Sequence, residues 1–316
     1  MSLEVLDVSG LATIQDSGRK GWRQFGVPTS GPMDSFAFQA ANMLVSNSND
    51  EAVIEIGLGD ITFRALQDCV ISVTGTGYQL SVYLWDFPLW SSYYVRRGWS
   101  IRFNKQDGGM WAYLAVSGGL QVQRRLGSRS TYLRGHFGGF NGRQLQAGDV
   151  ITKDNISHAA AQISARTIAP KAISAYTQNP VLDVIMGPQT NYFTDKSLET
   201  FLSSEYSISL ASDRMGYRLE GPALTHCNKT ELISEGMTFG AIQIPSNGQP
   251  IIMMADCPTT GGYPKIGTVA SADLPVFAQC VPNKGRIRFQ ETTVAKAQKR
   301  YRELINHLKS SIVEAD

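Results

Sequence analysis

Two short stretches in the second half of the chain concentrate the side chains that could do chemistry. In the first, Arg214 and Arg218 are four residues apart, so an extended segment or a helical turn would place both on one side. Guanidinium groups bind carboxylate and phosphate oxygens through paired hydrogen bonds. This spacing predicts an anion as ligand, and ion pairs with Asp213 and Glu220 are the structural alternative.

The second stretch is a threonine-glycine turn followed by a cation. Backbone amides around Gly261 and Gly262, with the hydroxyls of Thr259 and Thr260, suit a carboxylate, bicarbonate or phosphate. Lys265 would supply a second positive charge. The two stretches together predict a site for a small anionic molecule.

Carboxylates near both stretches could move a proton. Glu235 or Asp256 would serve as general base, and Gln243 interrupts an apolar strand, where a buried amide needs hydrogen-bond partners. The predicted catalytic residues are Arg214, Glu235 and Asp256. The predicted substrate-binding residues are Tyr217, Arg218, Gln243, Thr259, Thr260, Gly261, Gly262, Tyr263 and Lys265. No serine-histidine-aspartate triad is indicated, because His226 is the one histidine of this region and no GxSxG surrounds a serine.

Composition narrows the classes of partner. The chain has 316 residues, 42% hydrophobic and 18% charged, with a net charge of +2, so no global field attracts nucleic acid or an anionic membrane. No apolar run is long enough to span a bilayer, and no signal peptide is indicated. A cytoplasmic protein is expected. Four cysteines without a CxxC pair predict buried thiols and no metal.

The elements that must position these residues are mostly short strands. Thirty glycines and thirteen prolines punctuate the chain, and short β-branched runs at this spacing favour a barrel or sandwich. Strands are predicted around residues 3–8, 52–56, 61–63, 70–74, 80–84, 101–103, 111–116, 145–151, 181–186, 241–245, 251–256 and 287–289. Helical periodicity predicts a helix over 33–44, capped by Asp34 or Ser35, and an amphipathic tail helix over 291–313.

The chain divides into two predicted halves. Residues 153–178 are poor in large hydrophobic side chains and rich in Ala, Ser and Lys, which is typical of a linker. The predicted domains are therefore 1–152 and 179–316. A faint repeat, in which a polar turn enters Ile101–Phe103 and again Ile287–Phe289, is consistent with related halves.

One loop of the first half carries a cation with two interpretations. Residues 15–22 are polar, glycine-punctuated and not periodic. Arg19 is either a solvated loop cation or an arginine held by Asp16 or presented to a ligand.

Ordered segments across nearly the whole chain resemble the biotin-dependent carboxyltransferase family, which includes allophanate hydrolase subunit 2 and the C subunit of 5-oxoprolinase. These segments are Thr13–Arg19, Gly26–Pro28, Gly31–Asp34, Ala41–Val45, Glu55–Ile56, Ala115–Gly119, Leu126–Ser128, Arg214–Leu219 and Thr259–Pro264. The resemblance implies a mainly β fold of two cyclophilin-like β-barrel domains with a few helices. Relatives usually carry Gln before the Thr-Thr-Gly-Gly-Tyr motif, whereas Pro258 stands there after Cys257.

The resemblance also implies a function. Stand-alone relatives of this length resemble the C subunit of an ATP-dependent 5-oxoprolinase, which opens 5-oxo-L-proline to L-glutamate with A-like and B-like subunits and ATP as co-substrate. This is the predicted function. One alternative is carboxyl transfer from carboxybiotin to urea or a related amide. Because the chain lacks the Met-Lys-Met attachment motif, biotin would have to arrive on a partner chain. The other is a regulatory binding subunit that antagonises a kinase inhibitor.

Overall fold

The computed structural model describes residues 2–152, 163–227 and 231–314. Strands account for 35% of the residues and helices for 18%, so the predicted mainly β class is confirmed. The strands are β1 Ser2–Val8, β2 Leu11–Gln15, β3 Val53–Gly57, β4 Ile61–Ala65, β5 Cys69–Gly75, β6 Tyr78–Val82, β7 Trp85–Phe87, β8 Ser91–Val95, β9 Ser100–Lys105, β10 Trp111–Val116, β11 Val150–Thr152, β12 Arg166–Ile168, β13 Val181–Met186, β14 Ser207–Ile208, β15 Gly216–Glu220, β16 Glu235–Gly236, β17 Ala241–Gln243, β18 Ile251–Met253, β19 Thr260–Gly261, β20 Lys265–Val269, β21 Arg288–Glu291 and β22 Ile312–Glu314. The α-helices are α1 Ser35–Leu44, α2 Asp195–Ser203, α3 Leu274–Ala278 and α4 Val294–Lys309, and 3₁₀ turns cover Arg23–Phe25, Leu133–Gly135, Pro170–Ala172 and Thr190–Tyr192.

The chain forms two compact units that interleave in sequence. Unit 1 comprises Met1–Lys20, Ser30–Ala175 and Ile305–Asp316, and unit 2 comprises Gly21–Thr29 and Tyr176–Leu304. The predicted division at residues 152 and 179 differs from these units because Gly21–Thr29 belongs to unit 2 and Ile305–Asp316 belongs to unit 1. Of the predicted linker 153–178, residues 153–162 lie outside the described residues. Residues 166–168 form β12, which pairs with β8 and β22 in unit 1.

Unit 1 is built from two antiparallel sheets. Their strand orders are β11-β1-β4-β9-β6-β7 and β2-β3-β10-β5-β8-β12-β22. Side chains from both sheets, including Val5, Phe63 and Phe103 from the first and Ile54 and Leu114 from the second, belong to one buried hydrophobic cluster. Burial of this apolar surface is the main stabilising term for the unit.

The helix predicted over residues 33–44 is α1. Its N-cap is Asp34, whose carboxylate accepts hydrogen bonds from the amides of Phe36 and Ala37, as the predicted capping position requires. Thr74 of β5 donates its hydroxyl to the carbonyl of Ala37 at 2.7 Å, which attaches the helix to the second sheet.

Arg19 is a core residue of unit 1. The interpretation of Arg19 as a solvated cation is wrong, because its exposed fraction is 0%. Its guanidinium donates to the backbone carbonyls of Arg125 and Ser130 and lies 4.7 Å from the centre of the Phe137 ring. The carboxylate of Asp16 accepts hydrogen bonds from the hydroxyls of Ser128 and Ser130, so both charged residues brace the same loop.

Unit 2 is organised by a sheet of strand order β14-β15-β18-β17-β20-β13-β21, with a small β16-β19 sheet beside it. The pairing of β13 with β21 is parallel, and the other pairings in this sheet are antiparallel. The strand predicted over residues 181–186 has the same bounds in the structure.

The amphipathic tail helix is confirmed but shorter than predicted. Helix α4 ends at Lys309, and Ile312–Glu314 forms β22, because these residues pair with β12 at the edge of a unit 1 sheet. Within unit 2, Arg300 of α4 donates to the carboxylates of Asp183 and Asp273, both of which are buried. Among the described helices, none combines the length and apolar character needed to cross a membrane.

Candidate functional site

Arg214 and Asp256 form a buried ion pair where two neighbouring strands of unit 2 meet. Arg214 precedes β15 and Asp256 follows β18, and these strands pair antiparallel. The Nε and Nη2 atoms of Arg214 donate to Oδ2 and Oδ1 of Asp256 at 2.9 and 3.3 Å. The two side chains are only 7% and 6% exposed. The two charges therefore neutralise each other, and the Asp256 carboxylate occupies the Nε–Nη2 edge of the guanidinium, where the carboxylate of a ligand could otherwise bind.

Arg218 lies in a different environment from Arg214. Strand β15 alternates, so Tyr217 and Leu219 are buried whereas Arg218 and Glu220 are exposed. Arg218 lines a cavity of about 510 Å³ together with Tyr263. The two predicted arginines consequently do not share one anion site.

Tyr217 lies in the core of unit 2. It is 2% exposed, its hydroxyl donates to the carbonyl of Ala278 at 3.0 Å, and its ring lies 5.2 Å from that of Phe277. The geometry uses Tyr217 to hold helix α3 against β15, since both its ring and its hydroxyl contact that helix.

Glu235 and Lys265 form a second ion pair. The Lys265 ammonium donates to Oε1 of Glu235 at 2.6 Å, and the Gln189 side-chain amide donates to the same oxygen. These two hydrogen bonds, first that from Lys265 and then that from Gln189, lower the pKa of Glu235 below its usual range. A carboxylate with a lowered pKa is a weaker base, so this arrangement disfavours Glu235 as the general base.

The threonine-glycine turn contains one strand of the small two-stranded β16-β19 sheet. Strand β19 pairs with β16, with Thr260 opposite Gly236 and Gly261 opposite Glu235. A Cβ atom at Gly261 would lie 2.5 Å from Nε2 of Gln243, a side chain that is only 5% exposed. A larger residue at 261 would displace the Gln243 amide, which donates to the carbonyl of Tyr263 at 3.3 Å, so this close approach favours glycine there.

The remaining predicted residues lie around this turn. Thr259 and Gly262 are partly exposed and Thr260 is exposed. The carbonyls of Thr259 and Gly262 accept hydrogen bonds from the amides of Met237 and Leu232, at 3.0 and 2.7 Å. These two carbonyls are therefore already used in hydrogen bonds to residues 232–237, which fix the position of the turn.

Arg23 is a residue of this region that the sequence did not indicate. It lies in the 3₁₀ turn Arg23–Phe25, within the short first segment of unit 2. Its Nη2 atom donates to the carbonyls of Met237, Pro258 and Thr259, the last two at 3.1 and 3.5 Å. Arg23 and its contacts are more than 200 residues apart along the chain, so no local pattern could have paired them.

Cys257 lies beside the guanidinium of Arg23. Its Sγ atom is 3.9 Å from Nη1 of Arg23, and the residue is 1% exposed. Burial is the main cause that raises the pKa of the Cys257 thiol, so this cysteine is protonated at neutral pH and is not an activated nucleophile. Within the described residues, no group of three or more His, Cys, Asp or Glu side chains could hold a metal.

Comparison with known proteins identifies the family. A family model described as the carboxyltransferase domain, subdomain A and B, matches residues 25–291. The chain belongs to this family. It is 40% identical over 302 residues to the C subunit of 5-oxoprolinase from Haemophilus influenzae, across 94% of this chain and 93% of that protein. Identity to the C subunit of the Escherichia coli 5-oxoprolinase is 35% over 301 residues, with the same coverage. The resemblance found in the sequence is confirmed.

A solved structure supports the fold. The K. lactis urea amidolyase matches 97% of this chain with a TM-score of 0.90 and 28% sequence identity. This chain corresponds to 20% of the length of that enzyme, so the comparison concerns one region of a much longer protein.

Proposed function

We propose that this protein is the C subunit of an ATP-dependent 5-oxoprolinase complex, which opens 5-oxo-L-proline to L-glutamate. The observation that carries the proposal is the alignment with the Haemophilus influenzae protein, which extends over 93% of that protein at 40% identity. The urea amidolyase of Lachancea kluyveri, by contrast, is 31% identical and is matched over 16% of its length. Relatives with the 5-oxoprolinase name therefore agree with this chain in both sequence and extent.

The geometry of unit 2 supports a role in holding the substrate. Asp256 is engaged by Arg214, and Glu235 by Lys265, so both predicted general bases have cationic partners. Arg218 and Tyr263 line a cavity instead. We infer that this chain binds and orients the cyclic amide and that chemistry at the amide bond is completed with partner subunits.

ATP is assigned to a partner chain in this proposal. The Gln243 side chain lies against Gly261, which leaves less room at this turn for a nucleotide phosphate. The sequence contains no P-loop spacing either. A-like and B-like subunits would supply the nucleotide site, and the cytoplasmic location expected from the sequence stays a prediction.

Reconstitution tests the proposal. The purified chain is mixed with its candidate A-like and B-like subunits, ATP and 5-oxo-L-proline, and L-glutamate is measured by an enzyme-coupled assay. We expect glutamate release that requires all the chains. Release that is undiminished when this chain is omitted would overturn the assignment.

Carboxyl transfer is the second candidate, favoured by the description of the matching family model. The carboxyl group would come from carboxybiotin on another chain and pass to urea or a related amide. Avidin added to the reconstituted system decides between the two, because it sequesters biotin. The biotin-dependent candidate predicts carboxylation of urea that avidin abolishes, and urea carboxylation that is insensitive to avidin contradicts it.

A further inference from the structure

Unit 2 contains a cavity lined by residues of β15, of neighbouring segments and by Tyr263, which follows the threonine-glycine turn. It measures about 510 Å³, within the range of small-molecule sites. Its lining consists of Ser209, Arg218, Leu219, Glu220, Pro245, Asn247, Gln249, Pro250, Ile251 and Tyr263. Three of them belong to β15, four to the connection between β17 and β18, and the others are Ser209 after β14, Ile251 at the start of β18, and Tyr263.

Two opposite charges reach this cavity without neutralising each other. Arg218 and Glu220 are two residues apart on the exposed side of β15, which separates their Cα atoms by roughly 6.6 Å. Among the described residues, neither the Arg218 guanidinium nor the Glu220 carboxylate makes a hydrogen bond or ion pair. The hydroxyl of Tyr263 likewise has no hydrogen-bond partner in the described ranges.

The polar groups around these charges have a structural use. The side chain of Gln249 accepts a hydrogen bond from the amide of Gly221 and donates to its carbonyl, both at 3.0 Å. The side-chain oxygen of Asn247 accepts from the amide of Gln249 at 3.1 Å. These contacts stiffen the rim of the cavity. The charged groups of Arg218 and Glu220 take no part in them and can contact a ligand.

The strand that carries both charges is held on its two sides. Glu220 lies opposite Ser207 of β14, and Arg218 lies opposite Ile251 of β18. A strand paired on both sides has a fixed backbone, so the Cα–Cβ bonds of Arg218 and Glu220 leave the same side of β15 at a set spacing.

We propose that this cavity binds a small carboxylic acid that carries an amide N–H beside its carboxylate, with the carboxylate on Arg218 and the N–H donated to Glu220. The guanidinium offers paired donors that match a carboxylate, and the Glu220 carboxylate accepts a hydrogen bond and cannot donate one when ionised. Pro245, Pro250 and the Tyr263 ring supply apolar surface for a compact ring. 5-Oxo-L-proline has all three features, so the inference deepens the proposed function and rests on it.

Calorimetric titration with matched ligands tests the assignment on the purified chain and on the reconstituted complex. The ligands are 5-oxo-L-proline, 2-pyrrolidinone, which lacks the carboxylate, and 5-oxotetrahydrofuran-2-carboxylate, a lactone that keeps the ring carbonyl and has a ring oxygen in place of the N–H. The variants are Arg218→Gln and Glu220→Ala. Both residues are exposed, so neither substitution disturbs the core. Arg302→Gln, an exposed arginine of helix α4 outside the cavity, is the control.

We expect Arg218→Gln to weaken binding of both carboxylic acids by at least about 10-fold, since it removes a charge-assisted contact. Glu220→Ala should weaken the binding of 5-oxo-L-proline and should not weaken that of 5-oxotetrahydrofuran-2-carboxylate, and Arg302→Gln should bind all three ligands as the wild type does. Equal affinity of wild type for 2-pyrrolidinone and 5-oxo-L-proline would overturn the assignment. So would unchanged binding by Arg218→Gln, or no binding by either the chain or the complex.

The same variants separate this inference from the proposed function. If the wild-type complex releases glutamate and the Arg218→Gln complex does so at the same rate and KM, the cavity assignment fails and the function stands. If Arg218 is needed for binding but glutamate release continues when the chain is omitted, the cavity assignment stands and the function fails.

Discussion

Removing one partner of the Arg214–Asp256 pair should destabilise unit 2 strongly. Both side chains are less than a tenth exposed, and two hydrogen bonds join them. Asp256→Leu leaves the Arg214 cation buried without that carboxylate, and Arg214→Met leaves the carboxylate without its cation. Breaking a buried pair in this way costs about 3–5 kcal/mol of unfolding free energy.

The double variant is the informative comparison. Arg214→Met with Asp256→Leu removes both charges and replaces them with apolar groups of similar length, which is often close to neutral in stability. We therefore expect the double variant to recover most of the loss seen in either single variant. The coupling free energy from the double-mutant cycle should be several kcal/mol and favourable to the pair.

Urea unfolding followed by circular dichroism measures these free energies. Because the chain has two compact units, unfolding need not be two-state. Hydrogen exchange of peptides from β15 and β18, read by mass spectrometry, reports on unit 2 alone. Single variants that each lose less than about 1 kcal/mol and combine additively would refute the reasoning, because a buried, bidentate pair cannot behave as two independent surface charges.

The same cycle separates structure from catalysis. If the pair is structural, glutamate release by the reconstituted complex should be lost in the single variants in proportion to the loss of folded protein, and the double variant should regain it. A double variant that is folded but inactive would instead give the pair a part in the reaction.

Three further predictions concern other charges and thiols. Burial raises the pKa of Asp273 above its usual range, and Arg300 opposes this rise. Arg300→Met should therefore raise that pKa further. Because the Arg300 side chain is 50% exposed, the substitution should cost less at neutral pH than the ~3–5 kcal/mol of a fully buried pair, and this cost should shrink in urea unfolding at mildly acidic pH as the carboxylate takes up a proton. Equal cost at both pH values would contradict this. Hydrogen bonds from Lys265 and Gln189 lower the pKa of Glu235. Glu235→Gln should therefore cost less than about 1 kcal/mol of unfolding free energy at neutral pH, because the carboxylate is partly exposed. This difference between variant and wild type should disappear as the pH falls through the lowered pKa, and a difference that grows in acid would refute the prediction. Cys227 is exposed and the other cysteines are buried, so a thiol reagent should modify the native protein in a fast phase of one site. Cys227→Ser should abolish that fast phase. A fast phase that persists in this variant would show that another thiol is accessible.

Local signals in the sequence were sufficient for several elements. The Asp34 cap and the apolar spacing after it depend on residues within three or four positions of each other, so α1 could be predicted from the sequence. Strand β13 is an apolar run interrupted by Asp183, and its bounds were predicted correctly. The ordered family segments pointed to the region around Arg214 and Thr259.

Contacts between distant parts of the chain could not be predicted in this way. Arg214 is held by Asp256, 42 residues away, and the Arg214–Arg218 spacing alone wrongly suggested that both faced one ligand. Arg23 contacts the Pro258 carbonyl from 235 residues away. Residues 312–314 have the spacing of the preceding helix, but the free edge of β12 makes them a strand, an effect of tertiary pairing that local periodicity cannot show.

Because the two units interleave in sequence, the ribosome releases the last segment of unit 1 only after it has made unit 2. Strand β22 is the last described element of the chain and pairs at the edge of a unit 1 sheet, while Arg23, near the beginning, contacts residues 237–259 of unit 2. A ribosome-bound chain therefore cannot finish the first unit until the second has been made, although domains generally fold from the N-terminus as they emerge. Cutting the gene between residues 152 and 179 would leave each product without a segment that the other carries. Chains in which each unit is joined by a linker to its displaced segment, residues 305–316 for unit 1 and 21–29 for unit 2, are the versions of the two halves that should fold alone.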